Sequence, residues 1–124
     1  MLESDDNTVV RNRVVDASGV GIVLTEREDD GSDGNRIARN SIARGRFAGI
    51  LVTGPSSSNT LSENVASRNG TDGIRVRTAG NMLERNTANR NRRRGIEAVA
   101  GTVDGGGHRA TGNGLSPQCM GVSC

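Results

Sequence analysis

The feature that most constrains this chain is a repeat whose internal spacing does not change. The pattern Asn-x-apolar-x-x-Asn occurs four times, and in each copy a Gly-Ile pair begins 14 residues after the first Asn. The distance from that Gly to the next copy varies between 8 and 14 residues. Insertions are therefore accepted on one side of the repeat only, which is typical of a solenoid whose coils stack while loops extend from one face. A degenerate fifth copy is predicted to begin at His108, which replaces the leading Asn.

Apolar residues alternate with other residues inside each copy, which predicts short strands rather than helices. The chain has one aromatic residue, Phe47, and 32% hydrophobic residues, so its core must be thin and aliphatic. We therefore predict an all-β fold, a right-handed parallel β-helix with three strands per coil and about four to five coils of 22–28 residues. The predicted inward core ladder consists of Ile22, Ile50, Ile74 and Ile96.

The repeated Asn residues are predicted to stack into two ladders at the turns. An Asn side chain tolerates turn conformations, and its amide can bond both the backbone and the next Asn along the axis. The first ladder is predicted to contain Asn7, Asn35, Asn59 and Asn81, and the second to contain Asn12, Asn40, Asn64, Asn86 and Asn113.

The two ends of the repeat differ in composition. We predict an N-terminal extension over 1–6, a β-helix over 7–115 and a C-terminal capping tail over 116–124. In a secreted protein Cys119 and Cys124 would form a small disulfide loop over the last coil, whereas in a cytosolic one they would be free thiols. The polar extension is too short to cover the first coil, which predicts a larger parent protein, a swapped cap or self-association through the N-terminal coil edge.

The repeat resembles the right-handed parallel β-helix family, which includes NosD-like and pectin-lyase-like proteins. The resemblance spans residues 7–113 and carries the fold, whereas the members' activities range from polysaccharide lyases, hydrolases and C5-epimerases to carbohydrate-contacting or structural modules. It also implies a secreted or extracytoplasmic location, although this sequence begins with no signal peptide.

Catalysis in the pectate-lyase-like members implies clustered Asp for Ca²⁺ and a basic Arg or Lys on one outward strand face. The corresponding face here has no Asp cluster, and its charged residues Arg75, Arg77 and Glu97 are the catalytic candidates. A separate acidic loop contains Asp29, Asp30 and Asp33, which offer oxygen ligands for Ca²⁺ without the spacing of an EF-hand. No other cofactor is predicted. The alternative for both groups is an ordinary solvated surface.

Arginines recur at coil spacing and predict a basic stripe. Guanidinium groups suit bidentate contacts to carboxylate or sulfate. The alternative is a solvated surface offset by neighbouring acids. The predicted stripe consists of Arg39, Arg44, Arg68, Arg85 and Arg90.

Three functions are compatible with these features. The favoured one is a non-catalytic or accessory module that contacts a polysaccharide, including an acidic one, or a protein through its side faces. A small or truncated polysaccharide lyase, hydrolase or epimerase is the enzymatic alternative, and the C-terminal fragment of a longer solenoid is the structural one. The absence of interleaved aromatic residues argues against nucleic acid, and no apolar stretch is long enough to span a membrane.

Overall fold

The computed structural model describes residues 4–25 and 31–124, which form short β-strands arranged in three parallel sheets. The first sheet contains β1 (Thr8–Val10), β4 (Arg36–Ala38), β7 (Thr60–Ser62), β10 (Met82–Glu84) and β13 (Val103–Asp104). The second contains β2 (Arg13–Val15), β5 (Ser41–Ala43), β8 (Val65–Ser67), β11 (Thr87–Asn89) and β14 (Arg109–Thr111). The third contains β3 (Ile22–Leu24), β6 (Ile50–Val52), β9 (Ile74–Val76), β12 (Ile96–Ala98) and β15 (Cys119–Met120).

Each strand pairs with its counterpart one coil away, so the chain winds through the three sheets in turn. This architecture confirms the predicted fold class, a parallel β-helix. A membrane-spanning helix is absent from the described ranges.

The core is a stack of aliphatic side chains along the axis. Ile22 pairs in register with Ile50, which pairs with Ile74, which in turn pairs with Ile96. The central residues of the strands in the other two sheets fill the remaining interior, as Ile37, Leu61 and Leu83 do with no exposed surface. Neighbours one coil apart lie about 4.8 Å away, which explains why small branched residues fill the interior without aromatic rings.

Hydrogen bonds along the axis hold the Asn ladders together. In the second ladder, Asn64 Oδ1 accepts both the backbone N–H of Asn40 at 3.1 Å and its Nδ2 at 3.0 Å. Asn64 Nδ2 in turn donates to the Ile37 carbonyl at 2.8 Å. The first ladder repeats the backbone contact, with Asn59 Oδ1 accepting the Asn35 backbone N–H at 2.8 Å. These amides replace the β-ladder hydrogen bonds that the backbone loses at a turn.

A third ladder was not predicted from the sequence. Asn69 donates to Asn91 Oδ1, and Asn91 donates to Asn113 Oδ1, through both the backbone N–H and Nδ2 in each case. Gln118 ends this ladder, because its Oε1 accepts both donors of Asn113 at 2.9 and 2.8 Å. The signal in the sequence was weak, since only two of the four copies carry Asn ten residues after their first Asn.

The predicted register of the fifth coil was wrong. Ala110 pairs with Ala88 in the second sheet, and His108 Nδ1 accepts the backbone N–H of Asn86 at 3.2 Å. His108 therefore continues the second ladder, not the first, and Asn113 belongs to the third ladder, not the second. The physical reason is the run Gly105–Gly107. Thr102 lies beneath Asn81 and His108 beneath Asn86, and the segment that contains this run is one residue longer than the segment from Asn81 to Asn86. Aligning the copies on Asn could not detect that shift.

The C-terminal residues close one end of the stack. Val122 is buried against the core, and Cys119 and Cys124 form a disulfide across the loop that carries it. Asp104 Oδ2 accepts the Ser123 backbone N–H at 2.8 Å, and Oδ1 accepts that of Gly106 at 2.8 Å. These two N–H groups hold the pKa of Asp104 below its usual value. The stabilisation from this contact is therefore present at neutral pH and is lost as the pH falls through the lowered pKa.

At the other end, Val9 and Val14 in the first coil are only partly buried, in contrast to the buried Ile37 and Ile42 that lie beneath them. Self-association through this edge stays a prediction.

Breaking the disulfide should destabilise the C-terminal coil. We expect Cys124→Ser to lower the free energy of unfolding by about 2 kcal/mol, because the closed loop restricts the unfolded chain. Urea denaturation of the variant, compared with the parent protein in the presence and absence of reductant, measures the effect. A variant that matches the oxidised parent would contradict a stabilising role for the loop.

Candidate functional site

The predicted arginine stripe lies at two corners of the coil rather than one. Between the first and second sheets, the first corner column consists of Arg11, Arg39, Glu63 and Arg85. Between the second and third sheets, the second corner column consists of Asp16, Arg44, Arg68 and Arg90. The two columns therefore border opposite edges of the second sheet.

Every residue of both columns has a left-handed backbone, with φ between 47° and 57°. The turn needs this conformation because the chain must change direction between adjacent strands, and the backbone N–H still bonds the next coil, as in Arg68 N to Asn89 O at 3.1 Å. For a residue other than Gly the conformation costs about 1–2 kcal/mol. Since Arg, Asp and Glu all occupy it, the turn does not require Arg, and the side chains are free to serve another purpose.

Three arginines of the predicted stripe are neutralised by acids. Arg44 donates two hydrogen bonds to Asp16 at 2.8 and 3.1 Å, and this hydrogen bonding is the main reason why the pKa of Asp16 lies below its ordinary value. Arg39 lies 3.4 Å from Glu63, one coil further along the axis. Arg85 lies 2.8 Å from its neighbour Glu84. The first corner column consequently carries little free positive charge beyond Arg11.

Arg68 and Arg90 are different, because neither has an acidic partner within the described residues. Both are exposed, and they lie one coil apart in the second corner column. They border a shallow depression of about 380 Å³ on the outer face of the second sheet, which we call the second-sheet groove. Its other lining residues are Val65, Ser67, Asn89 and Thr111. The groove thus combines two uncompensated guanidinium groups with hydroxyl and amide groups along the solenoid axis.

The lining residues Ser67, Asn89 and Thr111 were not identified from the sequence. Ser67 pairs with Asn89, which pairs with Thr111, so the three form one outward column. Their common offset could have been found once the strands were in register, but nothing in their residue types distinguishes them from other exposed polar positions.

The predicted catalytic group on the third sheet forms a network of ion pairs. Arg75 lies 3.1 Å from Glu97 and 3.6 Å from the buried Asp72, and Arg94 also contacts Glu97 at 3.2 Å. Arg77 is exposed and makes no ion pair within the described part of the chain. A guanidinium held between two carboxylates is a poor base and a poor anion ligand, because its charge is already compensated. A catalytic role for these residues stays a prediction.

The predicted Ca²⁺ ligands are only partly placed. Asp29 and Asp30 lie outside the described residues. Asp33 Oδ1 accepts the Ser57 backbone N–H at 2.6 Å and its hydroxyl at 3.3 Å. Within residues 4–25 and 31–124, no three His, Cys, Asp or Glu side chains are grouped so that they could hold a metal ion.

His108 is placed so that neither ring nitrogen faces solvent. Its Nδ1 accepts the Asn86 N–H, and its Nε2 lies 3.2 Å from Asp104 Oδ1 with no exposed side-chain surface. An acid orients the ring, as a catalytic His requires, but the second nitrogen is occupied by backbone. His108 is therefore a structural end of the second ladder.

Comparison with known proteins agrees with this geometry. A family model described as right handed beta helix region matches residues 3–113. A crystal structure of a double mutant of the periplasmic alginate epimerase AlgG is similar, with a TM-score of 0.59 and 25% sequence identity. The similarity covers 89% of this chain but 23% of that protein, so the chain spans less than a quarter of its length. No protein of curated function matches the sequence.

Proposed function

Because the chain belongs to the right-handed β-helix family, we propose that it is a non-catalytic carbohydrate-binding module whose second-sheet groove receives an acidic polysaccharide. The observation that carries this proposal is the pair Arg68 and Arg90, which border the groove without an acidic partner in the described residues. The coil spacing of about 4.8 Å is close to the length of one sugar residue. An extended polymer along the axis would then meet roughly one sugar per coil.

The chemistry of the groove suits a carboxylated sugar. Guanidinium groups bind carboxylates through paired, charge-assisted hydrogen bonds. Ser67 offers a hydroxyl group to sugar hydroxyls, and the Thr111 hydroxyl, which donates to Asn89 Oδ1 at 3.1 Å, can accept a hydrogen bond from them. The similar structure is that of an alginate epimerase, and alginate is a carboxylated polysaccharide, which makes it a suitable first ligand. The periplasmic location of that epimerase and the Cys119–Cys124 disulfide support an extracytoplasmic location for this chain.

Replacing both groove arginines should weaken binding to acidic polysaccharides. We expect Arg68→Asn/Arg90→Asn to reduce affinity for alginate about tenfold, since exposed charge contacts contribute about 0.5–1 kcal/mol each. Asn is the suitable replacement because φ is 55° and 56° at these positions, a conformation that Asn tolerates. Binding is measured by calorimetry at several salt concentrations, and affinity of the parent protein should fall as salt rises.

The matched control is Arg36→Glu on the first sheet, which lowers the net charge by two, as the double variant does. Arg36 is exposed, lies on a different sheet from the groove and has Thr8 and Thr60 as its strand partners. The control should bind alginate as the parent does, and neutral dextran should bind to none of the three proteins. Equal affinity of all three for alginate, or no binding by the parent, would refute the proposal and favour a structural role.

The enzymatic alternative is a truncated epimerase or lyase, and the similarity to an alginate epimerase is the observation in its favour. Incubation with alginate, followed by absorbance for unsaturated lyase products and by NMR for C5 inversion, tests it. Arg75→Gln and Glu97→Gln should abolish any activity found if the third-sheet network is catalytic.

A further inference from the structure

The second corner carries more free positive charge than the second-sheet groove uses. The residue two positions after each member of the second corner column is also stacked on its counterparts, through backbone hydrogen bonds between neighbouring coils. Arg46 N donates to Ala17 O, Gly70 N to Gly45 O and Arg92 N to Asn69 O. Arg46, Gly70 and Arg92 therefore occupy equivalent places in three successive coils.

Gly70 leaves a gap between the two arginines that no side chain could fill. A Cβ atom at this position would overlap the Arg46 carbonyl oxygen, so the stacking of the coils requires Gly there. Arg46 and Arg92 are consequently two coils apart, about 9.6 Å along the axis, with bare backbone between them. Along the axis, Gly70 therefore has an arginine on each side.

Arg46 and Arg92 pair with no acid in the part of the chain that the structure describes. The Arg46 guanidinium lies 5.7 Å from the centre of the exposed Phe47 ring, a contact that leaves its charge uncompensated. Arg92 is exposed and makes no ion pair within the described residues. The neighbouring Arg93 does approach a carboxylate, with its Nε 3.8 Å from Asp72. Together with Arg68 and Arg90, Arg46 and Arg92 make four arginines within three coils that pair with no acid of residues 4–25 and 31–124, and we call these four the arginine ridge.

We infer that the arginine ridge binds a sulfated polysaccharide, a ligand class that rests on the proposed carbohydrate binding and narrows it. The reason is charge density. At about one sugar per coil, the three coils would meet about three sugars. A uronate polymer supplies one negative charge per sugar and would leave at least one of the four cations uncompensated. A polymer with more than one sulfate per sugar compensates all of them, and each sulfate offers a guanidinium several acceptor oxygens.

Single-stranded nucleic acid is also a polyanion, but it binds such surfaces largely through stacking of its bases on aromatic side chains. The chain contains one aromatic residue, and Arg46 already lies over its ring. The ridge therefore favours a polymer that is recognised by charge alone.

The test compares dextran sulfate with alginate, unsulfated dextran and single-stranded DNA. The parent protein should bind dextran sulfate more tightly than alginate. The variant Arg46→Ser/Arg92→Ser should lose about tenfold in affinity for dextran sulfate, and the slope of log K against log salt should become shallower by about two, one unit per lost contact. Affinity for alginate should change less than twofold, because the groove arginines remain. Arg36→Glu, with the same loss of charge, should match the parent.

The outcomes separate this inference from the proposed function. Dextran sulfate binding that is unchanged in Arg46→Ser/Arg92→Ser overturns the inference, while alginate binding that depends on Arg68 and Arg90 would still support the groove. Ridge-dependent binding of DNA that exceeds that of dextran sulfate also overturns it. A tenfold loss restricted to dextran sulfate, in a variant whose urea midpoint matches the parent, supports it.

Discussion

Asn64→Ala is expected to lower the free energy of unfolding by about 3–5 kcal/mol, one of the two largest effects that we predict for this fold. Asn64 has no exposed surface, and its side chain bonds four buried groups. The substitution removes the acceptor for the Asn40 backbone N–H and Nδ2 and the donor to the Ile37 carbonyl and to Asn86 Oδ1. Each buried polar group that is left without a partner costs about 1–3 kcal/mol.

Two other ladder positions provide matched comparisons. Asn12→Ala changes the same residue type in the same ladder, but Asn12 is exposed and no described group donates to its Oδ1, so we expect a loss of about 0.5 kcal/mol. Asn59→Ala should lie between the two, because Asn59 Oδ1 accepts only the Asn35 N–H and not its Nδ2. Urea denaturation followed by circular dichroism gives all three values. Denaturation midpoints that equal the parent protein's in all three variants would show that the ladders contribute no stability.

Gly73→Ala should cost about 3 kcal/mol through overpacking. The four Gly residues before the Ile ladder have no positive φ, so they are required for close packing and not for an unusual backbone. A Cβ at Gly73 would lie 2.7 Å from Asn91 Nδ2, 2.7 Å from the Gly95 carbonyl oxygen and 2.9 Å from Ala88 Cβ. Two of these neighbours are backbone or Cβ atoms, which cannot move without shifting a coil.

Gly19→Ala is the matched control for that prediction. A Cβ at Gly19 meets no atom within 4 Å, and its φ is not positive. Ala should therefore be neutral there or stabilise the protein by about 0.5 kcal/mol through the unfolded chain. Thermal denaturation of the two variants decides the matter, and equal melting temperatures would contradict the packing explanation.

The sequence indicated the fold well because a solenoid repeats one local solution. Each coil places the same residue types at the same offsets, so the core residues and most of the ladder residues could be located by counting. The prediction failed in the last coil, where the segment that contains Gly105–Gly107 is one residue longer than its counterparts. The sequence after His108 contains no further copy of the repeat that would have revealed the shift. The prediction also missed Gln118, whose longer amide ends the third ladder from outside the repeat.

The candidate site was predicted less completely, because charge in a sequence does not reveal its partners. Arg44 and Arg68 occupy equivalent positions one coil apart, yet Asp16 neutralises the first and no described acid contacts the second. Only the pairing of coils brings together residues 22 to 28 positions apart, and those contacts decide which arginines are free. The sequence by itself determined the solenoid, its core and its turns, since these follow from local spacing. The tertiary structure decided the usable surface, since ion pairing depends on distances between coils.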